Sequence, residues 1–165
     1  MVTTANLVLD SLKDKDQEAI TGILTNDKIK ETYVIPDLNA IDAENLFKKL
    51  KLNSKSKGHY VRGIFKDGKI IGLINENGRL VDKRVDLSIA ITPSEQGKGY
   101  AGEALKAAID ELFSLGYEEV SSYAFQTNLA NIHVLENCNM TKLPREEKMH
   151  YRDKDYTVVF YTIKK

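Results

Sequence analysis

The first third of the chain is dominated by apolar residues at helical spacing. They recur at every third or fourth position over residues 14–25 and again over residues 42–52, the pattern of amphipathic helices. A short apolar run at residues 7–9 precedes them and suits a strand. This part is therefore predicted to hold one strand followed by two or three helical pieces, broken near Pro36.

The middle of the chain changes to a period of two. Residues 60–65 and 69–74 flank Asp67-Gly68, a dipeptide that suits the tight turn of a β-hairpin. Over residues 84–91 apolar and polar side chains alternate, which predicts a half-buried strand. Pro93 ends this strand, because proline cannot donate to a sheet ladder.

Helical spacing returns at Tyr100. An apolar stripe runs from there to Phe113 with charged residues on the opposite side, and Gly116 is placed to end the helix. The rest of the chain is predicted to form a strand, a short helix and two strands joined by a turn at residues 153–155. These four elements are assigned to residues 119–125, 128–137, 148–152 and 156–163.

The order of these elements predicts an α/β (α+β) fold in a single domain over residues 1–165. That length suits one compact domain with a substantial core, and no linker or repeat interrupts it. The formal net charge is zero. Extended nucleic-acid binding needs a basic excess or patch, so nucleic acid is not an expected partner.

Several kinds of site and location are also excluded by the sequence. Cys138 is the only cysteine, and the three histidines lack the spacing of metal ligands, so no metal site is predicted. No apolar run approaches the roughly 18 residues of a membrane span, and the first residues lack the pattern of a signal peptide. We therefore predict a cytoplasmic protein without membrane contact, either a monomer or a homodimer.

A loop with two glycines joins the strand at residues 84–91 to the helix that begins at Tyr100. The first N–H groups of a helix have no intrahelical partners, and the helix dipole adds partial positive charge there. Because Gly97 and Gly99 lack a Cβ, a phosphate could approach these groups closely. Lys98 adds a cation. The loop is therefore predicted to bind an anion such as a pyrophosphate.

Three phosphate-binding motifs can be compared with this loop. The nucleotide P-loop needs Ser or Thr after the lysine, and none follows Lys98. The dinucleotide fingerprint opens a βαβ unit, whereas the strands before this loop look hairpin-linked. A nucleotide-binding oxidoreductase stays a minor alternative, because Glu118 and Glu119 lie near the distance at which that fold places a ribose-binding acid. The pattern Q/R-x-x-G-x-G/A fits residues 96–101.

Residues 86–105, with Gln96-Gly97-Lys98-Gly99-Tyr100-Ala101 at their centre, resemble the GNAT acetyltransferase superfamily, in which this loop grips the pyrophosphate of coenzyme A. Residues 128–137 resemble the N-x-x-S…L-E-K helix of the branch that acetylates ribosomal-protein N-termini. The resemblance implies a central mixed, mostly antiparallel twisted sheet of six or seven strands flanked by helices, with a splay between two central parallel strands. It also implies acetyl-CoA as cosubstrate and no metal.

The resemblance assigns candidate roles in cosubstrate binding. The candidates are Ile89, Ile91, Gln96, Gly97, Lys98, Gly99, Tyr100, Ala101 and Asn128. Ile89 and Ile91 would offer backbone groups to the pantetheine arm, and an N–H there would polarise the thioester carbonyl. Asn128 would donate to the pantetheine or adenylate side, although a helix N-cap is an equally good interpretation of this residue.

The catalytic candidates are Asp86 and Asn131. Asp86 occupies the family's common glutamate position and could accept the proton that the amine must lose. Alternatively it is an exposed strand carboxylate paired with Arg84 or Lys83. To protonate the departing thiolate, the family uses a tyrosine or a serine, at the places that hold Leu135 and Asn131 here. Asn131 could donate a hydrogen bond to a thiolate but could not protonate it.

The resulting prediction is an N-acetyltransferase that moves an acetyl group from acetyl-CoA to a primary amine by direct transfer in a ternary complex. The acceptor could be a protein N-terminus or a small-molecule amine, and the resemblance favours a peptide N-terminus. The alternative is a non-catalytic acyl-CoA sensor, which would keep the phosphate loop but lack the acid.

Overall fold

A computed structural model describes residues 1–78 and 82–165 of the chain. Within these ranges it contains eight strands and five α-helices, with short 3-10 turns at Asp14–Asp16 and Pro93–Glu95. The strands are β1 Val2–Thr3, β2 Val8–Asp10, β3 Val61–Lys66, β4 Lys69–Glu76, β5 Arg84–Ile91, β6 Glu119–Phe125, β7 Thr141–Tyr151 and β8 Lys154–Lys164. The helices are α1 Gln17–Thr25, α2 Asp27–Lys30, α3 Ala40–Asn53, α4 Tyr100–Ser114 and α5 Leu129–Asn137.

The strands form one sheet in the order β1-β2-β3-β4-β5-β6-β8-β7. Only β5 and β6 run parallel among the described strands; the other neighbours are antiparallel. The mixed, mostly antiparallel sheet predicted from the resemblance is confirmed. It has eight described strands rather than six or seven, because two residues at the N-terminus add β1, which is too short to show a period.

Apolar side chains cover both faces of the sheet. On one face α4 buries Leu105 and Ile109 together with Val85 and Leu87 of β5. On the other face α1 packs against β4 and α3 packs against β3, in a second cluster that includes Phe47. The alternation of β5 therefore sends residues 85 and 87 towards α4 and residues 86 and 88 to the opposite face.

Most predicted boundaries are confirmed, and β5 and β6 agree residue for residue. The C-terminal hairpin differs. Its strands are longer than predicted, and its turn lies at Arg152 and Asp153, with φ of 50° and 59°, rather than at residues 153–155. Most of β7 is exposed, so it carries polar residues on both faces and gives no period-two signal. None of the helices described is long and apolar enough to cross a membrane.

Candidate active site

The parallel strands β5 and β6 separate soon after they begin. Residues 84–86 pair with residues 119–121, and beyond that point each strand continues only with its other neighbour. Where they part, the Ser122 hydroxyl donates to the carbonyl of Leu87 at 2.8 Å. The backbone groups of Ile89 that alternate towards β6 therefore face an opening. The predicted splay is present.

A cavity of about 760 Å³ lies along the end of β5, beyond its pairing with β6, and its size is typical of small-molecule sites. Its walls come from the end of β5, the glycine loop, the first turns of α4, the helix α5 and the segment between α2 and α3. The predicted site residues in its lining are Ile89, Ile91, Gln96, Gly97, Gly99, Tyr100, Ala101, Asn128 and Asn131. Asp86 and Lys98 lie outside this lining.

The helix α4 begins at the cavity without a side-chain cap. Gly99 precedes it in the left-handed conformation with φ of 83°, and none of the described side chains bonds to its first N–H groups. By contrast, asparagines cap α2, α3 and α5. Gly97 also has a positive φ of 74°, and a Cβ at either glycine would meet no described atom within 4 Å. The free N–H groups thus remain available to an anion.

Two side chains of the loop act on its own geometry. Gln96 Nε2 donates to the carbonyl of Ile91 at 2.9 Å, which ties the loop to the end of β5. Lys98 Nζ lies 3.0 Å from Glu95 Oε2, and both side chains are partly exposed. Such an ion pair contributes little to stability, so Lys98 can exchange this partner for another anion.

Asp86 is held by an amide and a hydroxyl rather than by a cation. Its Oδ2 accepts from Asn77 Nδ2 at 3.0 Å, and its Oδ1 accepts from Ser121 Oγ at 3.1 Å. Arg84 pairs instead with Glu119 at the start of β6, and Lys83 pairs with Glu118 just before it. The alternative interpretation of Asp86, a carboxylate paired with Arg84 or Lys83, is therefore wrong.

Burial raises the pKa of the Asp86 carboxyl above its ordinary value of 3.8, although the bonds from Asn77 and Ser121 and the positive charge of Arg145 act in the opposite direction. A raised pKa suits a general base, because it makes the carboxylate a stronger proton acceptor. Asp86 precedes the cavity-lining residue Ile89 by three positions, roughly 10 Å along the strand. It can therefore serve an amine in the cavity only through water.

A row of polar groups connects Asp86 with the cavity wall. Ser88 Oγ donates to Asn77 Oδ1 at 2.7 Å, and the same amide donates to Asp86. Opposite Ser88 on β4 lies Asn75, whose Oδ1 accepts from the hydroxyl of Tyr33 at 2.6 Å. Tyr33 lines the cavity, so polar side chains extend from Asp86 to the cavity wall.

The segment between α2 and α3 was missed by the sequence analysis. Thr32 and Tyr33 line the cavity, and Tyr151 fixes the segment from the C-terminal hairpin. The Tyr151 hydroxyl donates to the Lys30 carbonyl at 2.7 Å and accepts from the Ile35 N–H at 3.4 Å. The sequence of this segment shows no regular spacing of apolar residues, so no element was predicted there. The aromatic residue Tyr33 is the one feature that could have indicated a wall of the site.

Replacing Tyr151 with phenylalanine is expected to loosen this segment. The hydroxyl bonds one backbone group at the end of α2 and one in the segment. We therefore expect a loss of about 1 kcal/mol in the free energy of unfolding and faster amide exchange in residues 31–35. Tyr156→Phe is the matched control, because that ring stacks on Phe125 at 4.0 Å and no described residue bonds to its hydroxyl. Urea denaturation and hydrogen exchange would measure both effects; equal exchange in the two variants would exclude this role of Tyr151.

The helix α5 presents amide rather than hydroxyl groups to the cavity. Leu135 is buried in the core, whereas Asn131 and Val134 line the cavity. Asn128 Oδ1 accepts from the N–H of Asn131 at 3.2 Å, so Asn128 is an N-cap and also lines the cavity. None of the described α5 residues in the lining is a tyrosine or serine. The polar α5 residues in the lining are Asn131, His133 and Asn137, and Asn131 among them is the predicted partner of a thiolate.

The sequence match agrees with this geometry. Residues 6–141 match a family described as an acetyltransferase (GNAT) domain. The chain belongs to the GNAT acetyltransferase family. The matched region includes the splayed strands, the glycine loop and α5, and the predicted acetyl-CoA-dependent N-acetyltransferase is confirmed at the level of the family.

Solved structures share the fold of this GNAT chain at low sequence identity. RimL, a ribosomal L7/L12 alpha-N-protein acetyltransferase in complex with coenzyme A, has a TM-score of 0.87 and 15% identity, covering 98% of this chain and 95% of that one. Spermidine N-acetyltransferase from Vibrio cholerae, in complex with coenzyme A and spermine, has a TM-score of 0.84 and 18% identity, covering 98% of this chain and 96% of that one. A GNAT-family acetyltransferase from Bacillus anthracis has a TM-score of 0.84 and 17% identity, covering 99% of this chain and 97% of that one. No curated protein matches the sequence.

Proposed function

We propose that residues 1–165 act as a single domain that transfers an acetyl group from acetyl-CoA directly to a primary amine. One observation carries this proposal: a single cavity joins an uncapped helix N-terminus with its glycine loop to the opening between two splayed strands. The helix N-terminus with its glycine loop suits a pyrophosphate, and the opening between the strands suits the pantetheine arm and its thioester. The fold is shared with RimL and with spermidine N-acetyltransferase alike, so a peptide N-terminus as the acceptor is supported by the resemblance of residues 128–137 to the ribosomal-protein branch.

Backbone groups do most of the work in cosubstrate binding. The N–H groups of residues 97–101 would hold the pyrophosphate, reinforced by the dipole of α4. The backbone of Ile89, left without a partner strand by the splay, would bind the pantetheine arm. A fixed N–H at this strand end stabilises the negative charge that develops on the thioester carbonyl during attack.

The amine's proton would go to the far face of β5, and the leaving group would be assisted from α5. Asp86 would accept the amine's proton through water ordered beside Ser88 and Tyr33. Asn131 would donate a hydrogen bond to the departing thiolate, which water then protonates. Because an amide cannot release a proton itself, we expect the second step to be slower here than in relatives with a tyrosine or serine.

Asp86→Asn is expected to lower kcat by about 100-fold without destabilising the protein. Since burial raises the pKa of Asp86, the native state binds this proton more tightly than the unfolded state does. Ionising Asp86 therefore costs folding free energy as the pH rises from its ordinary value of 3.8 through the raised pKa. The neutral amide removes this cost, but its single oxygen cannot replace both carboxylate oxygens as acceptors for Asn77 and Ser121. The two effects oppose each other, so the free energy of unfolding at pH 7 should change little.

The pH dependence separates a base from a structural residue. Where Asp86 controls the rate, kcat of the wild type falls as the pH drops through its pKa, and the variant lacks that fall. Asp67→Asn, at an exposed turn with φ of 49°, is the control and should keep both rate and profile. A wild-type rate in Asp86→Asn would exclude Asp86 as the base.

Acetyl transfer itself is tested by mass spectrometry with acetyl-CoA and a panel of amines: peptides with free N-termini, a polyamine and an aminoglycoside. We expect one acetyl group on the α-amine of at least one peptide. Binding of acetyl-CoA with no transfer to any amine would favour the non-catalytic sensor, the alternative supported by the lack of a tyrosine or serine among the described cavity residues of α5.

A further inference from the structure

A half-buried polar and aromatic surface lies beside the row of polar groups, on the face of the sheet opposite α4. We name it the β6–β8 face; it consists of Asp86, Ser121, Tyr123 and Phe160, all of intermediate exposure. Ser121 donates to Asp86, and Tyr123 pairs across the strands with Phe160, with ring centroids 6.2 Å apart. No described helix closes this surface as α4 closes the other face.

The edge strand β7 bulges where it passes this face. Lys142 and Glu146, four residues apart, pair with positions of β8 only two residues apart, so residues 143–145 stand opposite Phe160 alone. Extra residues bend a strand and re-aim its side chains, and bulges are common next to active sites. Here the bulge brings the guanidinium of Arg145 over the ring of Phe160, with Cζ 4.2 Å from the ring centroid.

Arg145 is only weakly engaged by its own chain. Its Nε and Nη2 both donate to one oxygen of Glu147, and the two side chains are 57% and 51% exposed. An ion pair this exposed contributes little. Nη1 has no hydrogen-bond partner in the ranges that the structure describes. The guanidinium can therefore bind an incoming anion at little cost in free energy from its weakened contact with Glu147.

The charges on this face have a defined spacing. Asp86 lies on β5 and the ring beneath Arg145 lies on β8, two strand spacings across the sheet and two residues along it, which is roughly 12 Å. An extended peptide covers this distance in about three residues. The face thus offers a carboxylate near the cavity, aromatic rings in the middle and a cation at the far side.

We propose that Arg145 determines acceptor specificity by selecting peptides with an acidic side chain at the second or third residue. This inference rests on the proposed acetyltransferase function. The amine lies towards Asp86 and the splay, the peptide crosses Tyr123 and Phe160, and its carboxylate pairs with Arg145. A polyamine in the same position would bring a like charge to the guanidinium, which disfavours it.

The test compares peptides of equal length that differ only in Glu or Lys, at the second residue in one pair and at the third in another. For the wild type we expect kcat/KM to be roughly tenfold higher for glutamate in at least one pair. Arg145→Gln should bring that ratio close to one, by slowing the acidic peptide. Lys142→Gln, which removes an exposed cation from the same strand, should leave the ratio unchanged.

Equal kcat/KM within both pairs for the wild type, or a preference for glutamate that survives Arg145→Gln, overturns the selectivity. Acetylation without charge preference removes this inference and leaves the transferase intact. If no amine is acetylated, the proposed function fails. Calorimetric titration of the same peptides in the presence of coenzyme A then tests the selectivity separately. We expect the glutamate peptide to bind roughly tenfold more tightly than the lysine peptide in at least one pair. Circular dichroism confirms that each variant is folded.

Discussion

Gly99→Ala is expected to weaken the binding of coenzyme A by about 100-fold. The new methyl group would project into the open space beside the first N–H groups of α4, where no described atom lies within 4 Å. A pyrophosphate could then no longer approach these donors to hydrogen-bond distance. Bonds to charged groups are the strong ones, so losing this approach should dominate the change in affinity measured by calorimetric titration.

The substitution also introduces backbone strain, which needs its own control. Gly99 has a φ of 83°, and a side chain in this conformation costs roughly 1–2 kcal/mol. Gly116→Ala carries a similar cost at the other end of α4, where φ is 95° and the surroundings are equally open. We expect the control to lose similar stability and keep its affinity for coenzyme A. A similar loss of affinity in both variants would mean that strain, rather than a blocked phosphate site, explains the effect.

Glu111→Ala is expected to lower the free energy of unfolding by about 3–5 kcal/mol. Glu111, on α4, accepts from the Tyr60 hydroxyl at 2.7 Å and from Arg62 Nη2 at 2.9 Å and Nε at 3.2 Å. The side chains of Arg62 and Glu111 are only 16% and 12% exposed. Removing the carboxylate leaves the Arg62 guanidinium largely buried and without its counter-charge, and the cost of this uncompensated buried charge lowers the stability.

The matched control is Glu118→Ala. Glu118 pairs with Lys83, and both side chains are 65% exposed, so its loss should cost less than about 1 kcal/mol. Urea denaturation of both variants gives the comparison. Similar losses in the two variants would show that the Tyr60–Arg62–Glu111 cluster does not anchor α4 to β3 as its geometry indicates.

The parts of the site that could be predicted are those whose conformation depends on residues close to them in the sequence. The open approach to the loop at Gly97 and Gly99, which lack a Cβ, and the helix that begins at Tyr100 follow from neighbouring residues along the chain. The strand β5 was equally clear, because its two faces differ in burial and its side chains alternate accordingly.

The parts that could not be predicted depend on distant elements. The sequence offered Arg84 and Lys83 as partners of Asp86, since they are its neighbours in the chain. In the sheet, however, a strand residue meets the adjacent strands, and Asn77 and Ser121 lie there. The position of Arg145 likewise depends on a bulge in an edge strand with polar residues on both faces, for which the sequence gives no periodic signal.

The most direct test of the central claim is the response of the backbone amide resonances to coenzyme A, followed by nuclear magnetic resonance. If the uncapped start of α4 holds the pyrophosphate, the largest saturable shifts should fall on the amides of residues 97–101, with smaller shifts at Ile89 and Asn131. Saturable binding that leaves residues 97–101 unshifted and moves amides elsewhere would contradict the assignment of this loop as the coenzyme site.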